Sequence, residues 1–120
     1  MSLQSLARQF VDLCNQGKNF DVMEIMYHPD IVSVEGDGKE TAGKRPVIDK
    51  SRKWVSDKVF HGEKVRGPFF NGPNQFAVHF LLEITRNSTG KRETLEEVAV
   101  YTVNQNDKIT REEFFYDGEH

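Results

Sequence analysis

Four glutamates, a tyrosine and a histidine set the chemistry this chain can carry. Glu35 closes a short β-rich run, Asp30 to Glu35, inside the stretch YHPDIVSVEGDG that runs from Tyr27 to Gly38. Glu63, Glu97 and Glu112 stand in long alternating stretches further on, with Tyr101 and His61 among them. A carboxylate held in a hollow is a candidate general base. Two carboxylates placed together resist ionising at once, which leaves one acid and one base for proton shuttling. Tyr101 could then hydrogen-bond an enolate oxygen, and His61 is a further candidate for moving a proton. No Ser or Cys lies in a nucleophile context, no HxxxH, CxxC or HExxH spacing occurs, and no glycine-rich nucleotide loop joins a strand to a helix. Neither a metal nor a cofactor is expected.

The elements that must position these residues begin with helices. Leu3, Leu6, Phe10 and Leu13 form the apolar stripe of an amphipathic helix, ended by Gly17. Asn19 is placed to cap a second helix with Val22, Ile25 and Met26 inward, which Pro29 stops. After the strand Asp30–Glu35 comes a glycine-bracketed loop, then a third helix that starts around Pro46 and reaches about Lys58. Val47, Trp54 and Val55 give it a buried side, and Lys50, Arg52, Lys53 and Lys58 a solvated one. From His61 the period becomes two, with strands His61–Phe70, Phe76–Thr85, Glu93–Val103 and Lys108–Tyr116 joined by short turns that imply antiparallel neighbours. Helices followed by strands predict an α+β domain spanning residues 1–120, helices on one face of a sheet.

Alternation also says which residues share a face. Glu97 and Tyr101 go with Ala99; His61 goes with Glu63 and Val65; Glu112 goes with Phe114 and Tyr116, their side of the sheet left open. Val32 and Val34 share one side of the first strand, so periodicity makes them core and sends Glu35 to water. His61 also reads as a strand-end polar residue, His79 as a cross-strand partner of a carboxylate, Cys14 as a small core hydrophobe, and Glu112 and Glu113 beside Arg111 as surface charges. The opening Met-Ser-Leu and closing Glu-His carry no functional weight. On the Glu93–Val103 strand, Val98 and Val100 leave the second face less polar than an open sheet face should be. That face is expected to hold a homodimer together by two-fold symmetry.

Composition narrows the setting. A chain of 120 residues has room for one domain. The formal charge of -3 speaks against nucleic acid, and the 29% of charged residues without a long apolar run speaks against a membrane span. One cysteine and no basic-then-apolar leader predict a cytoplasmic protein.

The element order, the Tyr27–Glu35 stretch, the helix start from Lys44 to Ile48 and the ending DKITREEFFY from Asp107 resemble the nuclear-transport-factor-2-like superfamily, closest to small SnoaL-like proteins. The resemblance covers roughly Leu6 to Asp117. It implies a cone-shaped, cystatin-like fold with three N-terminal helices on a curved antiparallel sheet around an internal pocket. Tyr27 to Glu35 aligns without a gap on the stretch that holds the ketosteroid isomerase base, so the resemblance turns Glu35 inward as that base. The isomerase oxyanion hole, a Tyr and a protonated Asp, is a known worked case. Here those positions hold Phe10 and Ala99, neither of which can donate, so a true ketosteroid isomerase is not implied.

The resulting expectation is a SnoaL-like protein that binds a small apolar or aromatic molecule carrying a polar group. It would act as an isomerase, cyclase or dehydratase by carboxylate-mediated proton transfer, with Glu35, Glu97, His61 and Tyr101 catalytic. Tyr27, Trp54, Glu63, Phe10, Ala99, Glu112, Phe114 and Tyr116 would line the ligand. The alternative is a non-catalytic ligand-binding or dimerisation module of the same fold.

Overall fold

A computed structural model of the chain describes residues 2–118 and 120; Met1 and Glu119 lie outside the described residues. The order is α1 (Leu3–Asn15), α2 (Asn19–Met26), β1 (Tyr27–Val34), β2 (Glu40–Ala42), α3 (Lys44–Ser56), β3 (Lys58–Asn71), β4 (Gln75–Arg86), β5 (Lys91–Val103) and β6 (Ile109–Phe115). The six strands form one sheet in the order β2-β1-β6-β5-β4-β3. Among the described residues no helix is long and apolar enough to cross a membrane.

Local chemistry accounts for the element ends. Ser2 caps α1 through its hydroxyl, which accepts from the Ser5 amide. Gly17, at φ 75°, turns the chain out of α1 while Lys18 N–H reaches back to the Leu13 carbonyl. α2 ends at Met26, ahead of Pro29, because Tyr27 is already extended at ψ 133°. Pro29 therefore lies within β1 rather than ending a helix. The expected glycine loop contains a short extra strand, β2, which pairs with β1 from Val32↔Ala42 to Val34↔Glu40.

Neighbours β3–β4, β4–β5 and β5–β6 are antiparallel, as short turns require, but β6 returns to lie parallel to β1. The two are far apart in sequence, so no turn constrains their direction. Helix α1 packs on β3 and β4, and α3 on β1. Asn15 fastens α1 to β3, donating to the Val65 carbonyl at 3.0 Å and accepting from its amide at 2.8 Å.

The core lies between helices and sheet. Leu6, Ala7, Phe10 and Cys14 of α1 meet Phe76, Val78, Ala99 and Tyr101. Burial pushes the Cys14 thiol up, with the nearby Glu63 carboxylate adding to the effect. Phe10, Phe76 and Tyr101 form a ring cluster with centroids 4.6, 5.2 and 5.4 Å apart. Leu82, Ile84 and Leu95 make a second, smaller cluster against Trp54.

Candidate active site

Each strand's inward face can be read from burial. On β1, Ile31 and Ser33 are buried while Val32 and Val34 are half-buried. The valines therefore do not mark the core side: α3 covers the Ile31 and Ser33 face, and Glu35 follows their parity. On β5, Leu95, Ala99, Tyr101 and Val103 are buried and Glu97 half-buried, so Glu97 and Tyr101 share the inward side with Ala99. On β6, Glu112 pairs across from Tyr101 and Phe114 from Ala99, which settles that Glu112 and Phe114 face inward.

Glu35 does not stand alone. The Lys50 ammonium donates to its Oε1 and also to Ser33 Oγ at 2.7 Å, and the Tyr116 hydroxyl lies 3.5 Å from Oε2. Lys50 also sits 5.6 Å from the centre of the Phe114 ring. The expectation that Lys50 is solvated is overturned: it follows Val47 by three residues and precedes Trp54 by four, the spacing of one helix face. That spacing was the available signal. Lys58 is likewise not solvated; its side chain is 2% exposed, with Nζ 4.2 Å from the Trp54 ring centre and bonded to Asp57.

Behind this pair lies a buried acid. Glu112 is 1% exposed, accepts from the Tyr27 hydroxyl and is bonded by Ser33. Burial raises its pKa, against the lowering pull of those two donors and of Lys50. Burial also lifts the Tyr27 phenol well above its ordinary range, with the Glu112 charge second. The surface-charge expectation thus fails for Glu112, because β6 is flanked by β1 and β5 and lies beneath the helical layer. Glu113 is half-buried and pairs at 3.2 Å with Arg111, two residues away on the same strand.

Two further carboxylates make up the opposite side. Glu63 accepts from the Asn19 side chain at 2.8 Å, so Asn19 serves Glu63 rather than capping α2. Burial raises the Glu63 pKa; the Asn19 bond opposes this and the Glu97 charge adds to it. Glu97 lies 2.9 Å from His120 Nε2. His120 stacks on Tyr116 at 3.9 Å and faces Trp54 at 6.2 Å, so His120, given no weight above, reaches the site. A cavity of about 460 Å³ opens beside them at the edge of β5, walled by inward Leu95 and Glu97, by outward Glu96, Val98 and Phe115, and by Tyr116 and His120.

Other expected residues lie elsewhere. A bulge between Phe60 and Gly62 breaks the alternation of β3 and takes His61 to the outer face, exposed and 2.7 Å from Thr85 Oγ1. Phe10, Ala99 and Tyr101 are packed in the interior rather than facing open space. Gly36 carries a role that spacing did not reveal: a Cβ there would come within 2.8 Å of the Tyr116 ring, so only glycine lets that ring lie against the turn beside Glu35. Among the described residues no group of three His, Cys, Asp or Glu side chains is placed to hold a metal ion. The arrangement offers a base, a cation beside it and a second acid pair.

Comparison with known proteins agrees with this architecture. The family model described as SnoaL-like domain matches residues 1–116. A Mesorhizobium loti structure, provisionally named a SnoaL-like polyketide cyclase with carbohydrate phosphatase as a bracketed second name, shares 39% identity. It covers 97% of this chain and 100% of its own, with a TM-score of 0.89. A Pseudomonas putida protein provisionally named a polyketide cyclase has 16% identity and a TM-score of 0.76, covering 98% of this chain and 92% of its own. AclR of Streptomyces galilaeus, provisionally named a hydroxylase, has 14% identity and a TM-score of 0.70, covering 95% and 87% respectively. A search of curated proteins finds no match.

Proposed function

The chain belongs to the SnoaL-like domain family, and within it we propose a small-molecule enzyme that moves protons with Glu35 as base. The ligand is an apolar or aromatic molecule bearing a carbonyl, taken up beside Glu35 and Lys50. Glu35 takes a proton from the carbon next to the carbonyl. The electrons move onto the carbonyl oxygen, and the enolate formed is stabilised by the Lys50 ammonium. Return of that proton to another carbon gives an isomer. Attack of the enolate carbon on a second carbonyl closes a ring, and the new oxygen takes up the proton. Glu63 and Glu97 are a second acid–base pair for the product side.

The single observation that carries this reading is the Lys50–Glu35 contact beside Tyr116. Phe10 and Ala99 occupy the two positions where the resembled isomerase keeps its donors, and Lys50 supplies positive charge instead. The test is proton exchange: a panel of apolar ketones and β-diketones in D2O, followed by NMR. The wild type should accelerate exchange at the carbon next to the carbonyl for at least one member. Glu35→Gln should lose about 10²-fold or more of that rate. Equal exchange by the Gln variant would remove Glu35 from the mechanism.

A second reading, ligand binding without turnover, is favoured by the Phe10–Phe76–Tyr101 cluster, which fills the interior with rings. It predicts binding of the same compounds with no exchange. In either reading the chain is placed in the cytoplasm and pairs with a second copy through the outer sheet face. There Phe69, Val98 and Phe115 are exposed on one side, with Ala77 and Val100 between them.

A further inference from the structure

His120 packs among Tyr116, Trp54 and Glu97. Its imidazole is nearly parallel to two rings, at 19° to Tyr116 and 20° to Trp54. Its side chain is 8% exposed, and Glu97, 14% exposed, lies 2.9 Å from Nε2. Two flat aromatic faces and one carboxylate are the recognition chemistry of a flat, protonatable ring: stacking and cation–π attraction hold its plane, and the acid takes its N–H.

The fit of His120 to this slot is incomplete. Although Nε2 is at ion-pair distance from Glu97, the approach lacks hydrogen-bond alignment, and both ring nitrogens are buried without a hydrogen-bond partner among the described residues. A buried polar atom without a partner is destabilised relative to one that has a bond or water. A free ligand, not tethered through the backbone, can align its N–H with Glu97 and leave the imidazole to water. The adjoining cavity of about 460 Å³ is within the range of small-molecule sites and gives room for a second fused ring and its substituents.

We propose that Trp54, Tyr116 and Glu97 form a subsite for a flat nitrogen heterocycle with an N–H, and that His120 fills it until that ligand displaces it. The proposal rests on the ligand site of the proposed function but not on proton transfer by Glu35. It narrows the ligand from any apolar ring to one with a basic nitrogen at its edge. His120 then raises the threshold for binding, because the ligand must first expel it.

The chain has one tryptophan, so Trp54 emission reports the slot directly. The experiment titrates benzimidazole into the wild type and into His120→Ala, following that emission. Removing the imidazole should brighten Trp54 without ligand and tighten benzimidazole binding about tenfold, since no competitor remains. In the His120→Ala background, Glu97→Gln should weaken binding about tenfold, the loss expected for a bond to a charged acceptor. Indene, of the same shape without nitrogen, should bind at least tenfold more weakly than benzimidazole. Unchanged emission in His120→Ala, indene binding as well as benzimidazole, or Glu97→Gln without effect would each overturn the proposal. Glu35→Gln should leave benzimidazole affinity within about twofold. Loss of ketone exchange with heterocycle binding intact, or the reverse, tells failure of one reading from failure of the other.

Discussion

Tyr27, the first residue of β1, donates its hydroxyl hydrogen to Glu112 near the middle of β6, and both side chains are buried. The two are 85 positions apart and meet because β6 returns alongside β1. Their contact anchors a chain of polar contacts that passes through Ser33 and Lys50 to Glu35. A buried acid at its root makes the site sensitive to pH in a direction that can be worked out.

Glu112 titrates above its ordinary value of 4.5 because burial disfavours its charge, and Glu63 is raised for the same first reason. The native state then keeps a proton that the unfolded chain has released. The stabilisation is complete below the unfolded value and is lost as pH rises through the higher native value. Glu112→Gln carries no such proton. Its urea midpoint should improve relative to the wild type as pH rises above the ordinary carboxyl value of 4.5, the gap growing until the native Glu112 has ionised. A constant gap would show that Glu112 ionises equally in both states.

Lys50→Met removes the cation but keeps the length of the side chain. Ketone exchange should fall about 10²–10³-fold, the loss expected when a group facing a developing oxyanion is taken away. Stability should fall by about 1–3 kcal/mol, because breaking the half-buried pair, 27% exposed on each side, leaves Glu35 and Ser33 without their donor. A wild-type exchange rate in this variant would separate Lys50 from the chemistry.

Gly36→Ala tests the turn rather than the acid. Its new methyl would fall 2.8 Å from the Tyr116 ring, inside van der Waals contact, so the ring must shift from its place beside Glu35 and against His120. Benzimidazole binding should weaken while the melting temperature changes little, since Tyr116 lies beyond the end of β6 and can shift outward. Unaltered binding would mean that Tyr116 is no part of the slot.

Phe115→Glu addresses the outer face, where Phe115 is 54% exposed beside Val98. A charge there should be tolerated by the monomer fold and should oppose itself across a two-fold axis. Sedimentation should show the wild type as a dimer and the variant as a monomer. A monomeric wild type would remove the pairing proposal at once.

What the sequence could and could not reveal divides along a physical line. Apolar spacing marked α1, the buried side of α3 and the alternation of β4 and β5, because period alone reports which residues share a face. It also grouped Glu97 with Tyr101, and Glu112 with Phe114 and Tyr116. Spacing held the signal for Lys50 as well, three residues from Val47 and four from Trp54, but lysine's usual preference for water outweighed it. Period does not say which face meets the core. Packing of α3 on β1 decided that Ser33, not Val32, is buried, and with it the direction of Glu35. A single bulge in β3 carried His61 away from Glu63, and a parallel return of β6 brought Glu112 to Tyr27. These outcomes depend on contacts between distant segments, where the free energy of burying one face over the other is settled only once the layers have closed.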